Sequence, residues 1–186
     1  MAVNLGKGQK VSLTKGNPGL SGVVAGFGWD AVSAGSVVEL DASAFLLTSS
    51  GKVSDSKDFV FYGNLTHPSG GVVHLGSAAG DKQQIKIEFS KIPGSILRIA
   101  FSAAIYDGET RGQSFARVRN AYIRLLDAQT KNELVRYELA GQFTDETAVI
   151  FGELYKNNGE WKFNAMGSGC RGGLAALCGA YGIEVG

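Results

Sequence analysis

Ala148-Val149-Ile150-Phe151-Gly152-Glu153-Leu154-Tyr155, Lys156-Asn157-Asn158-Gly159-Glu160, Trp161-Lys162-Phe163-Asn164-Ala165 is the stretch on which the fold turns. Two runs rich in β-branched and aromatic residues flank a short polar segment, and its Asn-Gly pair readily adopts the positive φ of a tight hairpin turn. The second run places Trp161 and Phe163 on one face and Lys162 and Asn164 on the other. The same period of two recurs along the chain. Val11 and Leu13 alternate with Ser12 and Thr14; Ile85, Ile87 and Phe89 alternate with Lys86 and Glu88. Ile99, Phe101, Ala103 and Ile105 form another inward set, and Val135, Tyr137 and Leu139 alternate with Arg136 and Glu138. Asp127-Ala128-Gln129-Thr130-Lys131-Asn132 joins Ala121–Leu126 to Leu134–Leu139 as a second hairpin. Many short strands at close spacing predict an all-β, two-sheet antiparallel β-sandwich. Helix is expected only in short pieces, a turn near Ser114–Arg119 and a C-terminal segment Leu174–Tyr181, where Leu174, Leu177, Cys178 and Tyr181 follow helical spacing.

Composition narrows the function. A chain of 186 residues with 44% hydrophobic content suits one domain, residues 1–186, with a full core. The 27 glycines set against 3 prolines suit tight turns. Lys+Arg 18 against Asp+Glu 17 leaves a net charge of +1, which gives no basic face for nucleic acid. Met1–Lys7 lacks the apolar core of a signal peptide, and no segment reaches membrane-spanning length, so a cytoplasmic, not membrane-spanning protein is expected. Cys170 and Cys178 match no zinc or redox spacing and are expected as reduced thiols packed like small apolar groups.

The chemistry-bearing feature is acidic. Glu39 and Asp41 interrupt the apolar run Val37–Leu47, and on a strand residues i and i+2 share a face about 7 Å apart. Two such carboxylates repel unless one keeps its proton or a hard cation bridges them. Asp30, at the end of Gly26-Phe27-Gly28-Trp29-Asp30, offers a third oxygen donor; Asn64, Asp81 and Asp107 with Glu109 are further candidates. The plain alternative is that these side chains cap turns and accept loop N–H bonds. Gly26–Ala31 and Gly167–Gly172 imitate nucleotide-binding glycine patterns, but neither sits in a βαβ unit. No Ser-His-Asp or Cys-His pairing is legible around His67 or His74, and no enzyme is expected. Arg111, Arg117, Arg119 and Arg124 form a basic cluster, open either to an anionic partner or to the ordinary wet face of a strand.

Several long words in fixed order resemble the TerD family: Gly28-Trp29-Asp30, Leu40-Asp41-Ala42-Ser43-Ala44-Phe45-Leu46-Leu47, Asp58-Phe59-Val60-Phe61-Tyr62 with Asn64-Leu65, and Arg117–Arg124. Glu146-Thr147-Ala148, Phe151-Gly152-Glu153-Leu154-Tyr155 with Gly159–Phe163, and the glycine-rich end from Gly167 to Leu174 extend the likeness over nearly the whole chain. The resemblance implies a β-sandwich that binds Ca2+ through acidic loops, without catalytic activity, in tellurium resistance and general stress response. Partners are expected among other Ter-system proteins or a second copy of the chain; the alternative reading is a self-assembling structural protein that forms homo-oligomers or filaments without bound metal.

Two departures bear on the metal. Where the family tends to carry Asp-x-Asp-Leu-Asp, this chain has Val37-Val38-Glu39-Leu40-Asp41. The family's long acidic loop after Val-Val-His is here His74–Gln84, with Asp81 its only acid. Calcium takes about six to eight oxygens, so losing carboxylates predicts at most one site, and a weak or absent one.

Overall fold

The structure, a computed structural model, describes residues 2–31, 37–78, 80–139 and 143–184. In chain order the strands are β1 (Val3–Leu5), β2 (Lys10–Ser12), β3 (Gly22–Ala31), β4 (Leu40–Leu47), β5 (Phe59–Val60) and β6 (Val72–Ala78). They continue as β7 (Asp81–Glu88), β8 (Arg98–Ile105), β9 (Val118–Asp127), β10 (Glu133–Glu138), β11 (Ala148–Asn157) and β12 (Glu160–Cys170), followed by helix α1 (Gly173–Ala180). Two six-stranded sheets stack face to face, ordered β1-β10-β9-β3-β7-β6 and β2-β12-β11-β8-β4-β5. Pairing is antiparallel except where β1 joins β10. The expected sandwich is the observed fold.

The hairpin that opened the sequence argument closes as read. Asn157 pairs with Glu160, and Asn158 and Gly159 take φ of 53° and 75°, the positive values a two-residue turn requires. Between the sheets, Phe27 of β3 packs edge-on to Phe151 of β11 at 5.7 Å and tilted against Phe101 of β8 at 6.1 Å. Each such fully buried ring contributes about 1.5–3 kcal/mol of transfer free energy. The predicted turn at Ser114–Arg119 is a 3-10 turn over Phe115–Arg117, capped by the Ser114 hydroxyl accepting from Ala116 N–H.

Strand β4 does not alternate, and the layering explains why. Leu40, Ala42, Ala44 and Leu46 face the opposite sheet. Phe45 and Leu47 face outward into a second apolar cluster with Phe59, Ala100, Leu177 and Cys178, beneath α1. A strand covered on both faces reads as a continuous apolar run. Helix α1 therefore roofs the outer face of the second sheet. Both cysteines are free; Cys178 is buried on the inward face of α1 and Cys170 half-buried, and burial pushes both thiols up. They pack as small apolar groups, not as reactive thiolates.

Candidate functional site

Strand register carries most of the singled-out acids to one rim of the sandwich. Leu40 pairs with Ile105, and Tyr106 N–H donates to the Glu39 carbonyl at 2.8 Å, so the start of β4 adjoins the end of β8. Asp30, near the end of β3, pairs with Arg119 at the start of β9. Asp81 opens β7, whose Gln83 pairs with Phe27. What each carboxylate meets at this rim differs.

Asp41 is half-buried on the outer side of β4. Strand β5 reaches only to Ala44, leaving the Ala42 N–H without a strand partner. Gln83 reaches across from the other sheet: its Oε1 accepts from Ala42 N–H at 2.6 Å, and its Nε2 donates to Asp41 Oδ1 at 3.2 Å. Asp107 and Glu109 lie in the turn after β8, where Asp107 is held at φ 50° and its carbonyl accepts from Arg111 N–H at 2.9 Å. Glu109 Oε1 accepts a very short bond from Gly172 N–H and another from the Thr147 hydroxyl at 3.3 Å. A carboxylate thus meets the positive end of α1, tying that turn to the helix. Asp41, Asp107 and Glu109, with Tyr62, Thr147 and Gly172, line a cavity of about 250 Å³. Among the described residues no Lys, Arg or His lies within ion-pair distance of these three carboxylates.

The remaining candidates are engaged elsewhere. Glu39 is exposed and lies 3.8 Å from Arg111, whose guanidinium also stacks over Tyr106. Asp30 is exposed and accepts from Asn120 Nδ2 at 2.8 Å. Asn64 Nδ2 donates to the Phe59 carbonyl at 2.8 Å and the Lys57 carbonyl at 3.3 Å, holding the turn after β5. Asp81 is buried. Its carboxylate accepts from Arg124 Nε and Nη2, each at 3.0 Å, from the Tyr122 hydroxyl at 2.6 Å and from Gln84 Nε2 at 2.9 Å. Where the sequence suggested a shortened loop, β6 and β7 form a hairpin, and its acid is an internal ion-pair partner. Among the described residues no three His, Cys, Asp or Glu side chains stand close enough to share an ion as placed.

The basic cluster divides in the same way. Arg124 is taken up by Asp81 and Glu133, and Arg111 by Glu39, while Arg117 in the 3-10 turn and Arg119 at the start of β9 are exposed.

A buried acid–imidazole pair escaped sequence reasoning. Asp58 Oδ1 lies 2.8 Å from His67 Nε2, and His67 Nδ1 lies 2.8 Å from the Ser69 hydroxyl. Burial alone would raise the Asp58 carboxyl, but hydrogen bonds from His67 and Ser54 outweigh it and hold the group below its ordinary range. Ser69 N–H also donates to His67 Nδ1 at 3.1 Å, so Nδ1 is the acceptor and Nε2–H donates to Asp58. The Ser69 hydroxyl in turn accepts from Gly71 N–H at 3.1 Å. Every polar atom of the trio is committed within Ser54–Gly71, so this arrangement locks a segment and presents no nucleophile. A separation of nine positions between an acid and an imidazole, across a turn, leaves no periodic signal in the sequence.

A family profile described as the TerD domain matches residues 1–181. General stress protein 16U of Bacillus subtilis (strain 168) is 48% identical over 193 residues, covering 100% of each chain. Tellurium resistance protein TerD of Serratia marcescens is 47% identical over 190 residues, covering 99% of each. The crystal structure of a homologue of telluride resistance protein (TerD) from Streptomyces coelicolor A3(2) superposes with a TM-score of 0.65 at 19% identity. It covers 86% of this chain and 95% of that one, a likeness of fold.

Proposed function

The chain belongs to the TerD family, and on that premise we propose that it is a non-catalytic, calcium-responsive module of a system that answers chemical stress or tellurium compounds. Calcium sits at the rim where the start of β4, the turn after β8 and the N-terminus of α1 meet. Asp41, Asp107 and Glu109 are its carboxylates. The observation that carries this reading is the cavity with three carboxylates and, among the described residues, no cationic side chain within ion-pair distance. Like charges on one wall favour any ion that neutralises them. A hard cation accepts backbone carbonyl and water oxygens alongside a few carboxylates, and affinity falls as carboxylates are removed. The side chains must draw inward for three to share the ion, which couples occupancy to the order of the β8–β9 turn and of the N-terminus of α1. That coupling is how the module would signal: calcium stiffens one end of the sandwich and presents it to other Ter-system proteins. The rigid β framework leaves the rest of the molecule unchanged.

Calorimetric titration of the purified chain with calcium tests the reading, paired with a thermal melt. A ligand bound only by the folded state stabilises it by about 2.7 kcal/mol at a hundredfold excess over its Kd. Joint replacement Asp41→Asn and Asp107→Asn should remove the heat of binding and the shift in midpoint while leaving the apo melt in place. No shift up to millimolar calcium would reject the proposal.

A further inference from the structure

Beside the acidic cavity lies a second one of about 590 Å³, within the range of small-molecule sites. It runs between the turn after β5 and the exposed side of α1, and Phe59, Phe61, Tyr62, Leu174, Ala175 and Cys178 make most of its wall. The aromatic side is ordered by stacking. Phe45 and Phe59 lie 4.3 Å apart at 9°, Phe59 and Phe61 4.3 Å apart at 6°, and Tyr62 meets Phe61 edge-on at 5.1 Å. Lys57 and Glu184 also line this trough, one of each charge. Tyr62 and Leu174 belong to both cavities, so the apolar trough opens beside the wall that carries Asp41, Asp107 and Glu109. Tyr62 is 55% exposed although aromatic, and it stands at this junction.

We propose that the two cavities form one site for an amphipathic organic cation, with its aromatic or short alkyl body in the trough and its ammonium group at the carboxylates. Each half selects a different part of such a ligand. The stacked rings and Leu174 remove apolar surface from water. The carboxylates, with no cationic side chain paired to them among the described residues, supply the complementary charge and exclude anions of the same shape. Tyr62 offers its ring face to the cation where the halves meet. This site goes beyond the calcium reading and does not depend on it, although both use Asp41 and Asp107.

Calorimetric titration of the full chain in excess chelator, with 4-phenylbutylammonium and then 4-phenylbutyrate, tests the proposal. The phenylalkyl body is shared to within one methylene, and the sign of the head-group charge is reversed. The cation should bind at least about tenfold more tightly than the anion, and Asp41→Asn with Asp107→Asn should erase most of that margin. Ala175→Trp, at an exposed helix position on the trough wall, should cut cation binding about tenfold with an unchanged thermal midpoint. Equal affinity for the two probes, no binding by either, or binding untouched by Ala175→Trp would overturn it. Cation binding in chelator with no heat from calcium alone would support this site and end the calcium reading, so the two fail separately.

Discussion

Replacing Asp81 by Asn isolates the most heavily bonded carboxylate among the described residues. The Asp81 side chain is completely buried, whereas Arg124 keeps 22% of its surface exposed. Removing one partner of a buried ion pair costs about 3–5 kcal/mol, because the other charge stays behind without compensation. Two features place this case near the lower end. Arg124 retains Glu133 at 3.5 Å, and its exposed part can take up water. Against these, the Asn amide would point its NH2 at a donor, since both carboxylate oxygens accept bonds in the wild type, which keeps the cost from falling below that range. The expected loss is about 3 kcal/mol, or roughly 6–12 °C in melting temperature for a domain of this size. Urea unfolding followed by circular dichroism reads it directly. An alkaline absorbance titration gives a second, independent reading. Burial first, then the bond and charge of Asp81, push the Tyr122 phenol up to about 12, and Asp81→Asn should lower it. Because this carboxylate is saturated by internal donors, its loss should leave any calcium response intact. A destabilisation below about 1 kcal/mol, with an unmoved Tyr122 titration, would refute the reasoning.

Two further perturbations test the same logic. Asp58 is held below its ordinary value of 3.8, so its contribution to stability is full above that value and is lost as pH falls through the lower folded one. Asp58→Asn should therefore flatten the acid limb of a urea-midpoint profile and cost about 2–3 kcal/mol at neutral pH, where a wild-type-like profile would sink the idea. Gly28→Ala would drive a Cβ into the Tyr122 ring, forcing it off Asp81. A loss of about 1–3 kcal/mol in chemical denaturation is expected, together with a lower Tyr122 phenol titration.

The two-layer architecture was legible from local pattern alone. A period of two along Ile85–Phe89, Val135–Leu139 and Trp161–Phe163, an Asn-Gly turn at 158–159 and helical spacing after Gly173 are encoded within a few residues of themselves. Backbone geometry turns such spacing into a face without reference to the rest of the chain. The set of acids at issue was likewise readable, because Asp30, Glu39, Asp41, Asp81 and Asp107 all fall at strand ends.

What each acid does was decided by stacking the sheets. Asp81 reads as a loop acid until Arg124, 43 residues onward, arrives on its carboxylate, and Asp41 meets Gln83 only because β4 and β7 come from opposite layers. His67 finds Asp58 across a turn, and the trough exists because α1 folds back over Phe45 and Phe59. Charge and burial act through space, with a strength set by distance and by the surrounding medium. A linear chain records which groups are available, and only the folded packing determines which of them are left facing one another without a counter-charge.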